Sequence, residues 1–354
     1  MKRRLFLKEV SAAIGVAVGF EAVGRDVKSA EMDSLSGGSA WMQKNLGRIG
    51  KRNLRNLCIP GSHDAGMSLF KPGTLFARPC NTCTQKLSIY QQLEAGVRYF
   101  DIRPVISGGE FMTGHYSKFG IINSWQGANG QSIQSVIDDV NKFSSENNEL
   151  IILHLSHDLD TDVGNSSYSD FTPYQWNDLL VQLLEGLQRL YFTPDEDLTK
   201  IPLNSFIGNG RAAVVVVVEP SSESAVPLSQ YRQQGFYPVT AFPIYNKYSN
   251  TKILDSMIAD QLEKLKEQRS GADSPCFLLS WTLTQDTLGA LTCGSFFSQT
   301  PSIIQLASEA NAVLETRLMP ACTPECFPNI LFVDAVDGSL GLPSLAMRIN
   351  SLSK

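Results

Sequence analysis

The chain has 354 residues, 43% hydrophobic and 18% charged, with a formal net charge of −5. This is globular composition, and the length accommodates one large α/β barrel without forcing a second domain. The acidic balance excludes the basic field that nucleic acid or an anionic surface selects, so no nucleic-acid partner is expected.

Residues 1–30 open with Met1-Lys2-Arg3-Arg4-Leu5-Phe6-Leu7-Lys8 and continue into a weakly apolar run over 10–20 rich in Ala, Gly and Val. A twin arginine ahead of such a run predicts a twin-arginine export signal, cleaved between Ala22 and Ala30, and hence a periplasmic or secreted protein. The run is too short to span a bilayer, so no transmembrane segment is expected. A Gly/Ser linker over 33–39 and a short covering helix over 41–46 make up residues 31–50. Residues 51–354 form the main domain.

The first strand of that domain ends at Pro60, inside Leu57-Cys58-Ile59-Pro60-Gly61-Ser62-His63-Asp64-Ala65-Gly66. A histidine and a carboxylate thus follow the strand at once, flanked by small residues that let a ligand approach the backbone. Helical spacing covers 86–95 and Gly96 closes it. The alternating segment 97–105 points Asp101 and Arg103 to one side, because strand side chains repeat every second residue. Opposite charges on one strand face are costly in a core unless paired. A third strand over 110–116 ends in Gly114-His115.

A helix over 133–143 precedes a strand over 149–155, whose His154 reads as a satisfied core histidine. The rest alternates: helix 174–191, strand 212–218, strand 236–242, helix 253–266, strand 276–283, helix 303–318, strand 330–336 and a final helix from Pro343. Five valines behind two alanines at 212–218 fit only a strand buried on both faces. Glu219-Pro220 ends it. Eight strands, most separated by helices, predict a distorted TIM-type (β/α)8 barrel in a single domain, with a doubly wound open sheet as the competitor. No GxGxxG or GxxxxGK[ST] is present, which removes the dinucleotide and P-loop readings.

In a barrel, the ends of strands one, two, three and eight gather His63, Asp64, Asp101, Arg103, His115 and Asp334 on one face. Two imidazoles, several carboxylates and one guanidinium suit phosphoryl transfer without a metal. One neutral ring takes a proton from the attacking hydroxyl, the other ring gives one to the leaving oxygen, and the guanidinium holds the phosphate. The carboxylates are expected to orient the rings and to hold up the pKa of the acid. The seven cysteines include a CxxC at Cys80 and Cys83 and a CxxxC at Cys322 and Cys326, which predict local or cross-loop disulfides in an oxidising compartment. Cys58 and Cys276 read as buried small hydrophobes.

The stretches IPGSHDAG, QQLEAGVRYFDIRP, the strand around His115 and NELIILHLS resemble the X domain of phosphatidylinositol-specific phospholipase C, in particular its bacterial, calcium-independent branch. The resemblance is close over residues 54–156. It thins beyond, through Tyr245-Asn246-Lys247-Tyr248, Leu279-Ser280-Trp281-Thr282-Leu283-Thr284 and Phe332-Val333-Asp334.

The resemblance implies a barrel that cleaves an inositol phospholipid, with His63 as general base and His115 as general acid supported by Asp64. The family's phosphate-binding arginine matches Arg103 and its strand-two aspartate matches Asp101. The aspartate that orients the base falls on Asp334, with Asp337 as second choice. Tyr248 matches a ring that stacks on inositol, the inositol-touching lysine falls on Ser156 or His157, and an inositol-binding aspartate falls on Asn246. Attack by the inositol 2-hydroxyl then gives a cyclic inositol phosphate and diacylglycerol. Calcium-dependent relatives carry an asparagine where Asp64 stands and an acidic residue where Arg103 stands, so no metal and no other cofactor is expected. The substrate is expected at a membrane surface, approached through aromatics such as Phe70, Phe76, Phe119, Trp125 or Phe236 of a monomer. Two alternatives stand beside this reading: a metal-dependent phosphodiesterase acting on another lipid, and a catalytically silent barrel that binds lipid or inositol.

Overall fold

The computed structural model describes residues 38–352 except 121–122, 223–225, 272 and 295–299, so the expected export signal lies outside the described residues. In chain order the strands are β1 (Ile59–Ser62), β2 (Lys71–Pro72), β3 (Tyr99–Ile102), β4 (Pro104–Ser107), β5 (Glu110–Phe119), β6 (Ser124–Ser132) and β7 (Leu150–Leu155). They continue as β8 (Leu159–Asp160), β9 (Ala213–Val218), β10 (Phe236–Pro238), β11 (Ile244–Tyr245), β12 (Cys276–Trp281) and β13 (Ile330–Val333).

Eight of them form one curled parallel sheet in the order β10-β9-β7-β3-β1-β13-β12-β11. The chain is a distorted TIM-type barrel. Among the described residues no ladder joins β10 to β11, so the wall is open along that seam. Alternation divides the apolar residues as a barrel requires. Tyr99, Ile152, Val215, Val217, Leu278 and Phe332 fill the lumen, while Phe100, Ile151, Leu153, Val214, Val216 and Leu279 meet the outer helices. The helices Ile133–Glu146, Pro173–Gly186 and Ile303–Leu318 start on Ser132, Thr172 and Ser302, whose hydroxyls accept from the backbone three residues on.

The sequence places strand 110–116 in the barrel, and the structure corrects this. β5 belongs to a second, five-stranded sheet in the order β2-β6-β5-β4-β8, where it pairs antiparallel with β4 and β6. A two-glycine turn at Gly108 and Gly109, with φ of 64° and 76°, folds β5 straight back on β4 instead of allowing a helical crossover. β6 goes unnoticed in the sequence because Gly127, Asn129 and Gly130 read as a loop. The glycines are there for close approach: a Cβ on Gly130 would stand 2.2 Å from the Gly66 carbonyl.

Strand one also differs, since β1 continues through Pro60 and Gly61 to Ser62. Gly61 permits it, because a Cβ there would meet the Ile330 side chain at 2.5 Å across the ladder. The covering helix at the bottom is two short helices, Trp41–Lys44 and Leu46–Ile49. It is held by Glu149, which accepts from the Met42 and Gln43 amides at 3.1 and 2.7 Å and pairs with Arg98 at 2.9 Å. Both partners of that ion pair are fully buried, so removing one costs about 3–5 kcal/mol.

Candidate active site

The C-terminal ends of β1, β3, β7 and β13 lie side by side, and the residue types expected to act together emerge there. His63 Nδ1 is 2.7 Å from Asp334 Oδ1, across the adjacent ends of β1 and β13. Asp334, and not Asp337, is therefore the partner of this ring. Asp337 instead caps the turn Gly338–Leu340 through the Ser339 amide and faces Lys86 at 3.4 Å. On the other side of the ring, Nε2 lies 2.7 Å from Arg103 Nη2.

Asp101 is the hub that fixes the guanidinium. One of its oxygens accepts from Arg103 Nε at 3.1 Å and from the Asp64 amide at 3.0 Å; the other accepts from the Ser156 hydroxyl at 3.0 Å. The alternation read from the sequence is thus realised, with Asp101 and Arg103 on one face and paired. His115 comes to the same place from β5 of the second sheet. Its Nδ1–H donates to the Thr82 carbonyl at 3.1 Å, and Asp64 Oδ2 lies 3.8 Å from that nitrogen and 3.8 Å from Arg103 Nη1. Gly66 lets this hairpin close on the barrel, since a Cβ there would strike Thr113 at 2.3 Å.

The loop around Thr82–Gln85 ties these strand ends together. Thr84 donates to the Asp64 carbonyl at 2.9 Å, and Gln85 donates to the His63 carbonyl at 2.7 Å and accepts from the Val336 amide at 3.0 Å. Asp64, His157 and Ala335 all take positive φ, at 41°, 55° and 52°, shortly after the ends of β1, β7 and β13. Non-glycine residues adopt that conformation at a cost of about 1–3 kcal/mol each, and such strain gathers at functional sites.

Charges are strongly perturbed. Burial acts to raise the Asp101 carboxyl, but Arg103 and His63 outweigh it and hold the group well below the ordinary carboxylate range. Burial pushes the Asp64 carboxyl up to about 7 against the pull of Arg103. For His63, burial acts downward, yet Asp334 prevails and the net shift is upward. His115 goes the other way, to about 3, through burial and the nearby Arg103 and His63. This corrects the expectation that Asp64 holds the His115 pKa up. Burial leaves the Asp64 carboxyl only partly ionised near neutral pH, so at His115 desolvation and the guanidinium win.

The remaining expected residues lie further out. Ser156 is buried in the network, while His157 is exposed beside it, with its Nδ1 2.7 Å from the Ser156 hydroxyl. Asn246 and Tyr248 follow β11 at the open seam and are exposed, Tyr248 by 57%. Phe236 is fully buried in β10 and cannot meet a membrane. Phe76 is exposed at the rim and lines a small cleft with Ala77, Asn81, Thr82, His115 and Phe119. The sequence leaves the disulfide pairing open; the structure joins Cys80 to Cys293 and leaves Cys83, Cys322 and Cys326 as thiols. Among the described residues no cluster of three or more His, Cys, Asp or Glu has metal-binding geometry.

Two residues escape the sequence reading. Glu219, taken there as a strand terminator, lies beside His154, and Thr82 supplies a carbonyl to His115. A carboxylate immediately after a barrel strand was the available signal for Glu219.

The fold has known counterparts. A phosphatidylinositol-specific phospholipase C of Staphylococcus aureus superposes with a TM-score of 0.60 at 16% identity, covering 88% of this chain and 99% of that one. That of Listeria monocytogenes superposes with a TM-score of 0.53 at 20% identity, covering 84% and 95%. No family model matches the chain. A PI-PLC X-box domain-containing protein of Dictyostelium discoideum is 33% identical over 131 residues, and a second PI-PLC X domain-containing protein of that organism is 28% identical over 125 residues. Over those segments the chain is similar to PI-PLC X-domain proteins. The two matches span 33% and 31% of this chain, but only 16% and 20% of the length of those relatives.

Proposed function

We propose that the chain is an exported phosphodiesterase that cleaves phosphatidylinositol, or a glycosyl-inositol anchor, to diacylglycerol and a cyclic inositol phosphate by His/His acid–base catalysis. The observation that carries this reading is the gathering of Asp334, His63, Arg103, Asp64 and His115 at one mouth, where two imidazoles flank one guanidinium and its neighbouring carboxylate.

The chemistry follows from each atom's state. Asp334 holds the proton of His63 on Nδ1, so Nε2 carries the lone pair that accepts the proton of the inositol 2-hydroxyl. Arg103 leaves Nε2 for the phosphate oxygens, neutralises the charge that builds on them, and stays anchored through Nε to Asp101. The hydroxyl oxygen forms a bond to phosphorus while the bond to the glycerol oxygen breaks. His115, with its Nδ1–H held on the Thr82 carbonyl and Asp64 beside it, gives that oxygen the Nε2 proton of its imidazolium. With Arg103 neutralised by phosphate, the main neighbouring charge that depresses His115 is gone.

The reaction is proposed to run without calcium. The carboxylates that would surround a cation are already committed, Asp101 to Arg103 and Asp334 to His63. Ser156, Asn246 and Tyr248 are proposed to face the inositol ring. The exposed apolar side chains Leu69, Leu75, Phe76 and Leu288 are proposed to meet the lipid surface. No helix among the described residues is long and apolar enough to cross a membrane. Residues 1–30 are proposed as the export signal, ahead of a monomeric barrel domain over 51–354.

The test is turnover of labelled phosphatidylinositol in vesicles with excess chelator. A cyclic inositol phosphate as first product is expected. Strict metal dependence points to the alternative phosphodiesterase, and retained lipid binding without turnover to a silent barrel.

A further inference from the structure

We infer that Glu219 is a specificity-determining residue, an anionic acceptor that selects a head group whose ring carries hydroxyls and no additional phosphate. The inference rests on the phosphodiesterase reading above and concerns the ring side of the same mouth.

Position comes first. β3, β7 and β9 are neighbours, with Asp101 level with His154 and His154 level with Val217. Tyr99, Ile152 and Val217 face the lumen. Two-residue alternation therefore carries Asp101, Ser156 and Glu219 to the lumen side at three successive strand ends. The Glu219 amide donates to the Leu155 carbonyl at 2.8 Å, which keeps the carboxylate beside Ser156. Ser156 in turn donates to Asp101. Glu219 thus stands on the opposite flank of Asp101 from His63.

Its side chain is 46% exposed but not loose, because His154 Nε2 lies 2.9 Å from its Oε2. The other nitrogen of His154 is bonded to the Tyr99 hydroxyl. Tyr99 and His154 are 1% and 3% exposed inside an otherwise apolar lumen. Apolar residues of similar size would be cheaper there, and the polar pair orders a carboxylate that would otherwise turn among many rotamers. Among the described residues no Lys or Arg pairs with Glu219, whereas Asp64, Asp101 and Asp334 all lie against Arg103 or His63. A carboxylate with an open oxygen at the mouth of a phosphate site accepts strongly from neighbouring hydroxyls. The same charge repels a second phosphate on the ring.

The experiment compares the full chain with Glu219→Gln on vesicles containing phosphatidylinositol or phosphatidylinositol 4-phosphate. For the variant, KM on phosphatidylinositol is expected to rise about 10- to 100-fold with a smaller change in kcat, the range a charge-assisted hydrogen bond supplies. The ratio of kcat/KM for the phosphorylated over the plain head group is expected to rise about tenfold or more, on the same scale. His154→Phe should raise KM and keep the discrimination, because the charge remains while its tether is lost. An unchanged KM and ratio in Glu219→Gln overturn the inference while leaving the enzyme reading intact. If the unaltered chain leaves phosphatidylinositol uncut, the enzyme reading fails, and calorimetric titration with inositol 1-phosphate decides. Weaker binding to Glu219→Gln sustains the inference; equal binding, or none to the unaltered chain, ends it.

Discussion

Arg103 Nη2 stands 2.7 Å from His63 Nε2, and a guanidinium has no lone pair to offer, so the ring nitrogen is the acceptor. With Asp334 on Nδ1, one tautomer is fixed before any substrate arrives. The cation also covers the proposed base, so in the proposed reaction an anionic phosphate that draws Arg103 away exposes Nε2 at the moment it is required.

Replacing either imidazole of the proposed proton relay removes its base or its acid. His63→Gln and His115→Gln should each lower phosphatidylinositol turnover by about 10²–10⁴-fold, with the melting temperature little changed. Turnover in chelator and thermal unfolding, measured on the same preparations, check this. A fully active single variant at either position sinks the acid–base assignment.

Asp334 and Asp337 make a paired test. Asp334→Asn replaces the charged acceptor of His63 Nδ1 by a neutral amide whose NH2 can face the ring and favour the wrong tautomer, and should cut kcat by about 10²–10⁴-fold. Asp337→Asn touches only the cap of a surface turn and the Lys86 contact, and should leave kcat within about twofold, as most surface changes do. Equal loss in the two variants contradicts the geometry.

Arg103→Lys retains the charge but loses the fork that grips Asp101 while reaching the phosphate. A fall of about 10²-fold in kcat/KM is expected, a scale typical of losing one oxyanion donor. Added calcium should not restore it. Rescue by calcium in this variant would show a cation able to replace the arginine, against the proposal.

Asp64 makes stability depend on pH. Its carboxyl is raised to about 7 in the folded protein, so the folded state keeps a proton that the unfolded chain releases near its ordinary pKa. Stability is therefore lost as pH rises between about 4 and 7, by up to about 4 kcal/mol, and the loss is complete above that window. Asp64→Asn should raise the melting temperature more at pH 8 than at pH 4. His115 works at the acid end: its folded pKa of about 3 means stability is lost as pH falls below the ordinary histidine range. Melting curves from pH 3 to 9 for the unaltered chain, Asp64→Asn and His115→Gln separate the two.

The barrel strands were legible because periodicity and burial agree in them, above all in the five-valine run of β9. The clustered site residues were legible for a related reason: His63, Asp64, Asp101, Arg103 and Asp334 each sit within a few residues of a strand end that apolar runs announce. The second sheet was not. β5 and β6 are strands whose small residues serve close packing around Gly66 and Thr113, and glycine-rich sequence looks the same in a loop. Glu219 stayed hidden because its partner His154 sits 65 positions earlier in an apolar run, where a core histidine explains itself. The Cys80–Cys293 pairing, 213 residues apart, depends on how the ends of the barrel meet and has no local signature.

The proposed base and its carboxylate stand at the ends of adjacent barrel strands locked in register, whereas the proposed acid rides on a hairpin outside that wall. The two ends of the proposed proton path accordingly belong to separate scaffolds, joined by glycine contacts and by the loop that bears Thr82 and Gln85. A shift of the hairpin by even an ångström would lengthen the reach to the departing oxygen while leaving the attacking side untouched. In the proposed reaction, bond making and bond breaking at phosphorus can thus be tuned independently.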